Sequence, residues 1–175
     1  REYPVVHVAG TNGKGSTCSF LASILQHAGK KVGVFTSPHL IKINERFRIG
    51  NQVISDEEFV EVFDETMKYI EKAKKKNIAH PSFFELMFLM GAVYFRNNQI
   101  DIAIFETGMG GRLDATNVVS PVLTIITSVG LDHTQFLGDT IEQIAVEKAG
   151  IIKKDVPALF FDRKDESTQV ISVYC

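Results

Sequence analysis

Apolar positions along this chain follow two alternating patterns. Short continuous apolar runs at residues 5–9, 31–36, 100–105, 122–128 and 156–161 read as β-strands, since each is brief and rich in Val, Ile or Phe. Helical spacing fills most of the rest. Residues 16–28 read as a helix ended by Gly29. Ser55-Asp56-Glu57-Glu58 is a capping box. The helix after it places Phe59, Phe63, Met67 and Ile70 on one face. A second capping box, Ser82-Phe83-Phe84-Glu85, opens a helix that is apolar nearly all round, which predicts burial. Thr140-Ile141-Glu142-Gln143 opens a short helix closed by Gly150, and residues 37–54 read as irregular or as a short hairpin. Near-continuous apolar strands alternating with helices predict an α/β fold, a mostly parallel sheet covered on both faces. Ligands of such sheets gather at the carboxyl ends of the strands. Polar residues at those ends are therefore the candidates for chemistry.

The first strand runs into Gly10-Thr11-Asn12-Gly13-Lys14-Gly15-Ser16-Thr17. A strand, a glycine-rich turn with one lysine and two hydroxyls, and a helix make the parts of a phosphate cradle. Glycines let several backbone N–H groups converge on one oxyanion. Lys14 adds a mobile positive charge, and Ser16 or Thr17 offers an oxygen to magnesium. The loop is a variant: G-x-x-x-x-G-K-[ST] would need glycine at Val8, and Gly15 separates Lys14 from Ser16. A dinucleotide fingerprint also fails, because its last glycine would fall on Cys18. A glycine-rich turn without a ligand is the plainer reading. The ordered succession of strand, lysine, hydroxyl and helix favours the cradle.

Other strand ends carry further candidates. The strand ending in Glu106 leads into Thr107-Gly108-Met109-Gly110-Gly111-Arg112-Leu113-Asp114-Ala115-Thr116-Asn117. Nucleotide-handling enzymes hold magnesium with such a carboxylate, though a strand-end glutamate that caps a turn fits equally well on its own. Arg112 and Asp114 are expected to pair or to bind substrate. His133 follows the strand at 122–128. A neutral histidine ligates metals, yet a lone one more often serves structure. Ser37 lies just past the second strand, near where phosphates should lie. Lys148 shares the face of Ile141, Ile144 and Ala145. It either snorkels to water or has a depressed pKa, and a neutral amine there adds carbon dioxide to become a carbamate.

Composition narrows the class. A net charge of -2 argues against nucleic acid as the main partner. The run Lys72, Lys74, Lys75 and Lys76 reads as the solvated end of a helix. Two cysteines, far apart in sequence, point to neither a disulfide framework nor a zinc site, and hence to the cytoplasm. The longest apolar run, residues 86–95, is too short to cross a bilayer, so no membrane role is expected. A start at Arg1, so close to a core strand, and a stop at Cys175 within a new helix predict a fragment of a longer protein.

Taken together, the loop from Gly10 to Ser16, Thr36-Ser37-Pro38-His39-Leu40, Asn44-Glu45-Arg46, the segment from Glu106 to Asn117, Leu131-Asp132-His133 and Glu147-Lys148-Ala149-Gly150-Ile151 closely resemble the folate branch of the Mur ligase superfamily. That branch holds the folylpolyglutamate and dihydrofolate synthases. The resemblance spans about residues 3–157. It implies a P-loop nucleotide-binding fold of the Mur ligase central-domain type. Residues 1–175 would be a partial ATP-binding central domain, with the carboxy-terminal ligase domain absent from this chain. The implied activity is ATP-dependent addition of L-glutamate to folate or dihydropteroate through an acyl phosphate. Carried over by position, Thr11, Asn12, Gly13, Lys14, Gly15 and Ser16 would hold the phosphates of ATP. Ser37, Glu106 and His133 would hold Mg2+. Lys148 would be the carbamylated lysine, and Lys14, His133 and Lys148 the catalytic set. Ser82, Asp114 and Ala115 would line the pteroate site. A monomer is expected. Alternative readings are a cell-wall Mur-type peptide ligase and a nucleotide-binding fragment without turnover.

Overall fold

In the computed structural model, which describes residues 3–175, the five apolar runs become the parallel part of a single sheet. They form β1 (Val5–Ala9), β2 (Val32–Phe35), β5 (Ile102–Glu106), β6 (Leu123–Ile126) and β7 (Ala158–Phe160). The segment expected as irregular or a hairpin contributes a 3-10 turn (Ile43–Arg46) and an antiparallel pair, β3 (Phe47–Ile49) and β4 (Gln52–Val53). The sheet order is β4-β3-β2-β5-β1-β6-β7. The chain leaves β1, skips one place to β2, fills the gap later with β5, and then crosses to β6 on the other side of β1. Strand β1 is thus the point where the winding reverses, and a crevice opens at its carboxyl end.

Register decides which side chains share a face. Val8 stands opposite Glu106 and Ile125, while His7 stands opposite Phe105 and Thr124. Successive side chains of a strand point to opposite faces. Glu106 therefore projects on the face of Val6 and Val8, and His7 on the other. The first face is covered by α1 (Lys14–His27), whose Cys18 and Ala22 pack with Val6, Val8, Val34 and Ile104. The second is covered by α3 (Phe83–Asn97), backed by α2 (Asp56–Lys74). There Phe88 and Phe95 meet Phe105 with ring centroids 5.2 and 5.7 Å apart, in tilted or edge-on contacts that aromatic quadrupoles favour. A third cluster, around Ile126, Ile144 and Ile171, lies under α4 (Thr134–Leu137), α5 (Ile141–Ala149) and α6 (Glu166–Val173).

Both expected capping boxes form, at Ser55 and Ser82, and the short helix expected after Thr140 opens with a further one. Four details differ from the sequence reading. Helix α1 starts two residues early, because Gly13 takes a left-handed conformation (φ 82°) and turns the chain into the helix at once. The strands are shorter than their apolar runs, since pairing stops where a neighbouring ladder ends. The buried face of α2 centres on Val62, Thr66 and Ile70, with Phe59 and Phe63 at its margin. Helix α3 keeps a stripe in solvent, with Phe83 56% and Leu89 39% exposed. Among the described residues no helix is long and apolar enough to cross a membrane.

Candidate functional site

The loop after β1 is built mainly from backbone, braced against the end of β6. Thr11 N–H donates to the Ser128 carbonyl (2.8 Å), and Thr127 Oγ1 donates to the Asn12 carbonyl (2.7 Å). Asn12 N–H donates to Ser128 Oγ (3.0 Å). Gly10 has φ 152°, and a Cβ there would lie 1.9 Å from Thr127 Oγ1. Only glycine fits that approach. The first bond of the α1 ladder is Thr17 N–H to the Gly13 carbonyl (2.9 Å). The N–H groups of Lys14, Gly15 and Ser16 precede the ladder and point out of the helix's positive end, an arrangement suited to an anion. Lys14 Nζ curls back over the loop, donating to the carbonyls of Gly10 (2.9 Å) and Thr11 (3.2 Å). Its charge is held over the same concavity.

Glu106 sits beneath this loop. A Cβ on Gly15 would be 3.8 Å from its Oε2, and the Ser37 N–H donates to that same oxygen (3.1 Å). The residue is only 4% exposed. Burial pushes its pKa up, while the Ser37 bond and the Lys14 charge pull it down. A buried carboxylate whose one counter-charge among the described residues is the Lys14 ammonium is short of cation. Such a donor, next to the Gly15 loop and the Ser37 backbone, fits Mg2+, which usually takes one or two carboxylates and completes its shell with water and phosphate oxygens. Among the described residues no three His, Cys, Asp or Glu side chains cluster as a self-sufficient metal site, so phosphate oxygens would have to complete the set.

Lys148 lies inward on α5 as its spacing predicts, 2% exposed. Desolvation first, and repulsion from Lys14 second, lower its pKa to about 8, with Asp132 opposing them. It is not a snorkelling lysine. His133 adopts a left-handed conformation (φ 49°) at the start of α4 and is half exposed, 3.7 Å from Asp132.

Beside the loop opens a cavity of about 840 Å³, lined by Ser37, Ser82, Asp114, Ala115 and His133 together with Arg46, Phe84 and Met109. It gathers all three residues expected at the pteroate site and two of those expected at the metal. Glu106 and Lys148 lie outside this lining. Ser82 also caps α3. Arg112 and Asp114, expected to pair or to bind substrate, do not pair. Arg112 reaches back to Glu147 (2.7 Å). Asp114 instead accepts from the N–H groups of Gly108 (2.9 Å), Met109 (3.0 Å) and Thr116 (3.0 Å) and from the Thr116 hydroxyl (2.6 Å). Four donors fill one carboxylate, so Asp114 shapes the loop before it touches any ligand.

Two roles escaped the sequence reading, although Arg46 stood in one of the quoted motifs. Arg46 is 7% exposed, donates to His39 Nδ1 (2.9 Å) and stands 5.6 Å from the Phe83 ring centre, with no carboxylate partner among the described residues. A dry guanidinium facing a cavity suits an anionic ligand. No local pattern marked it, since Arg46 ends a 3-10 turn and the strand after it carries a second arginine, Arg48. The other is His7, fully buried in β1 and bonded to Thr116. Nothing short of the fold could have joined residues so far apart in sequence.

A glycine loop at the end of the first strand, a buried acid beneath it and an inward lysine on α5 make an α/β domain of the Mur ligase kind. A sequence profile of the Mur ligase middle domain matches residues 8–172, and the chain belongs to that family. Within it, the chain is similar to the dihydrofolate synthase/folylpolyglutamate synthase of Bacillus subtilis, with 49% identity over 94% of this chain and 39% of the relative. It is 45% identical to a folylpolyglutamate synthase of Arabidopsis thaliana over 95% of this chain and 29% of that protein. A solved structure, E. coli FolC in complex with DHPP and ADP, superposes with a TM-score of 0.90 at 41% identity, covering 99% of this chain and 40% of that one. The chain spans about two fifths or less of the length of these relatives.

Proposed function

We propose that this chain is the ATP-binding part of a ligase that joins L-glutamate to a folate or dihydropteroate carboxylate. The observation that carries the reading is the convergence of Glu106 on the Gly15 loop, next to the cavity that holds Ser82, Asp114 and Ala115. It agrees with the likeness to a FolC solved with ADP and DHPP.

Each group has a role. The N–H groups of residues 11–16 and the Lys14 ammonium bind the phosphates and neutralise charge that grows on the transferred phosphoryl group. Glu106, Ser37 and His133 would hold Mg2+, which supplies further charge neutralisation when bound. The acceptor carboxylate lies in the cavity with its oxygen aimed at the terminal phosphorus. That oxygen bonds to phosphorus as ADP leaves, giving an acyl phosphate. The glutamate amine then bonds to the acyl carbon, phosphate leaves and the amine loses a proton. Holding the reactants in line is the main contribution of the cavity walls. A Lys148 amine that is partly neutral at pH 8 adds carbon dioxide, forming an N–C bond and releasing a proton. The resulting carbamate returns negative charge to a region otherwise dominated by Lys14. Electron density on the Lys148 amine in crystals with nucleotide and metal tests this step; a bare amine contradicts it.

The chain binds nucleotide without turnover, as a monomer, and its full-length protein works in the cytoplasm. In the full-length protein, ADP forms only when a pteroate or folate acceptor and glutamate are both present. Brisk ADP release without an acceptor would overturn the reading, and turnover with a cell-wall peptide acceptor would replace it.

A further inference from the structure

His7 is a costly residue for the middle of a central strand. Its neighbours Val6 and Val8 are apolar, it is 0% exposed, and its Nδ1 has no partner among the described residues. A valine there would bury no polar atom. What the imidazole adds is one bond: Nε2 lies 2.7 Å from Thr116 Oγ1. The direction of that bond follows from its neighbours. The four bonds that Asp114 accepts leave its carboxylate only an acceptor, so the Thr116 hydroxyl spends its single proton on Asp114 Oδ1 (2.6 Å). The hydroxyl must then accept from His7, which fixes His7 as the neutral tautomer with hydrogen on Nε2. Desolvation, then the Lys153 charge, lower the His7 pKa to about 3, consistent with an imidazole that stays neutral.

The far oxygen of Asp114 takes the N–H groups of Gly108 and Met109. These two residues form one wall of the cavity, backed by Phe84, whose ring would meet a Cβ on Gly108 at 2.7 Å. We propose that His7 and Thr116 are positioning residues, a buried relay through which β1 fixes Asp114 and the Gly108–Met109 wall against the acceptor. One strand thereby sets both substrate sites: its end becomes the phosphate loop, and its third residue, His7, holds the acceptor wall. The inference rests on the cavity being the acceptor site.

The test uses full-length protein carrying Thr116→Val, which keeps the shape and removes the hydroxyl, and Thr116→Ser, which restores it. The valine variant raises KM for the pteroate acceptor about tenfold, as loss of a buried bond of this kind predicts. Its KM for ATP stays within about twofold, and the serine variant recovers most of the loss. Equal KM values for the acceptor in wild type and Thr116→Val overturn the relay while leaving the ligase reading intact. Absence of acceptor-dependent ADP formation in the wild type sinks the ligase reading instead. The relay is then judged by two NMR observations. In unmutated protein, hydrogen sits on His7 Nε2 from pH 5 to 8. The amide signals of Gly108 and Met109 move in Thr116→Val and return in Thr116→Ser. Hydrogen on Nδ1, or unmoved amides, refutes the relay whether or not the valine variant is active. Should Thr116→Val not fold, His7→Gln, which keeps a donor near the Nε2 position, takes its place against His7→Leu, with the same acceptor KM and amide readouts.

Discussion

The loops after β1 and β5 stand side by side but are shaped by different means. The first is held by backbone geometry: glycines, helix-start N–H groups and short braces to the next strand end. The second is held by side chains that reach across the fold, with Asp114 at its centre and Asn117 binding the carbonyls of Arg112 (2.9 Å) and Gly150 (3.1 Å). A phosphate is a small, uniform ligand that a row of N–H groups recognises. An organic acceptor needs a wall of particular shape, and side-chain bonds set such a wall. One change in each loop should therefore fail in a different way.

Gly10→Ala has the largest effect expected. The new Cβ would overlap Thr127 Oγ1 at 1.9 Å in a backbone conformation that suits only glycine. We expect a loss of about 3 kcal/mol of stability together with nucleotide affinity, read by urea unfolding and by calorimetry with ATP and magnesium. Asp114→Ala comes next. It leaves the N–H groups of Gly108, Met109 and Thr116 without their acceptor, and we expect about 2–3 kcal/mol of destabilisation. Calorimetry should show ATP affinity nearly unchanged in this variant. Equal damage to nucleotide binding in both variants would erase the contrast between the loops.

That contrast also explains what the sequence made legible. The phosphate loop could be read because its determinants are contiguous, from Gly10 to Thr17. The parallel sheet could be read because strands buried on both faces are apolar at every position. Glu106 stood out as a carboxylate closing such a strand, and Lys148 as a charge on an apolar helix face. The bond from His7 to Thr116 spans 109 residues, and no local pattern announces it. Arg112 misled for the same reason. Asp114, two residues on, was filled by three backbone N–H groups and the Thr116 hydroxyl, and Arg112's partner Glu147 came from α5.

Acid sharpens the comparison from the side of the loop after β5. His7 has a folded pKa of about 3 against an ordinary 6.5. Between those values the unfolded chain binds a proton that the folded chain refuses. Its contribution is therefore complete above about pH 6.5 and is lost as pH falls toward 3. From pH 7 to pH 5 this one group should remove about 2 kcal/mol. Urea unfolding of wild type and His7→Gln at both pH values isolates it: the wild type should lose about 2 kcal/mol more than the variant. Parallel losses would mean that His7 binds its proton in the folded chain.

The smallest expected effect has the opposite sign. Glu106 is buried with its pKa raised by desolvation, so its charged form is disfavoured by folding. A raised carboxylate stabilises the fold below its unfolded pKa and forfeits that stability as pH rises through the folded value. At neutral pH the charge is thus a burden that only a cation relieves. Glu106→Gln keeps an oxygen for the Ser37 N–H and removes the charge. Without ligands it should unfold about 1 kcal/mol later than wild type at pH 7, and the gap should vanish near pH 4. With ATP and magnesium the order should reverse, because the wild type gains binding energy that the variant cannot. A glutamine variant that is less stable without ligands would mean that Lys14 already satisfies the acid. The case for a cation beneath the phosphate loop would then rest on Ser16 and Ser37 alone.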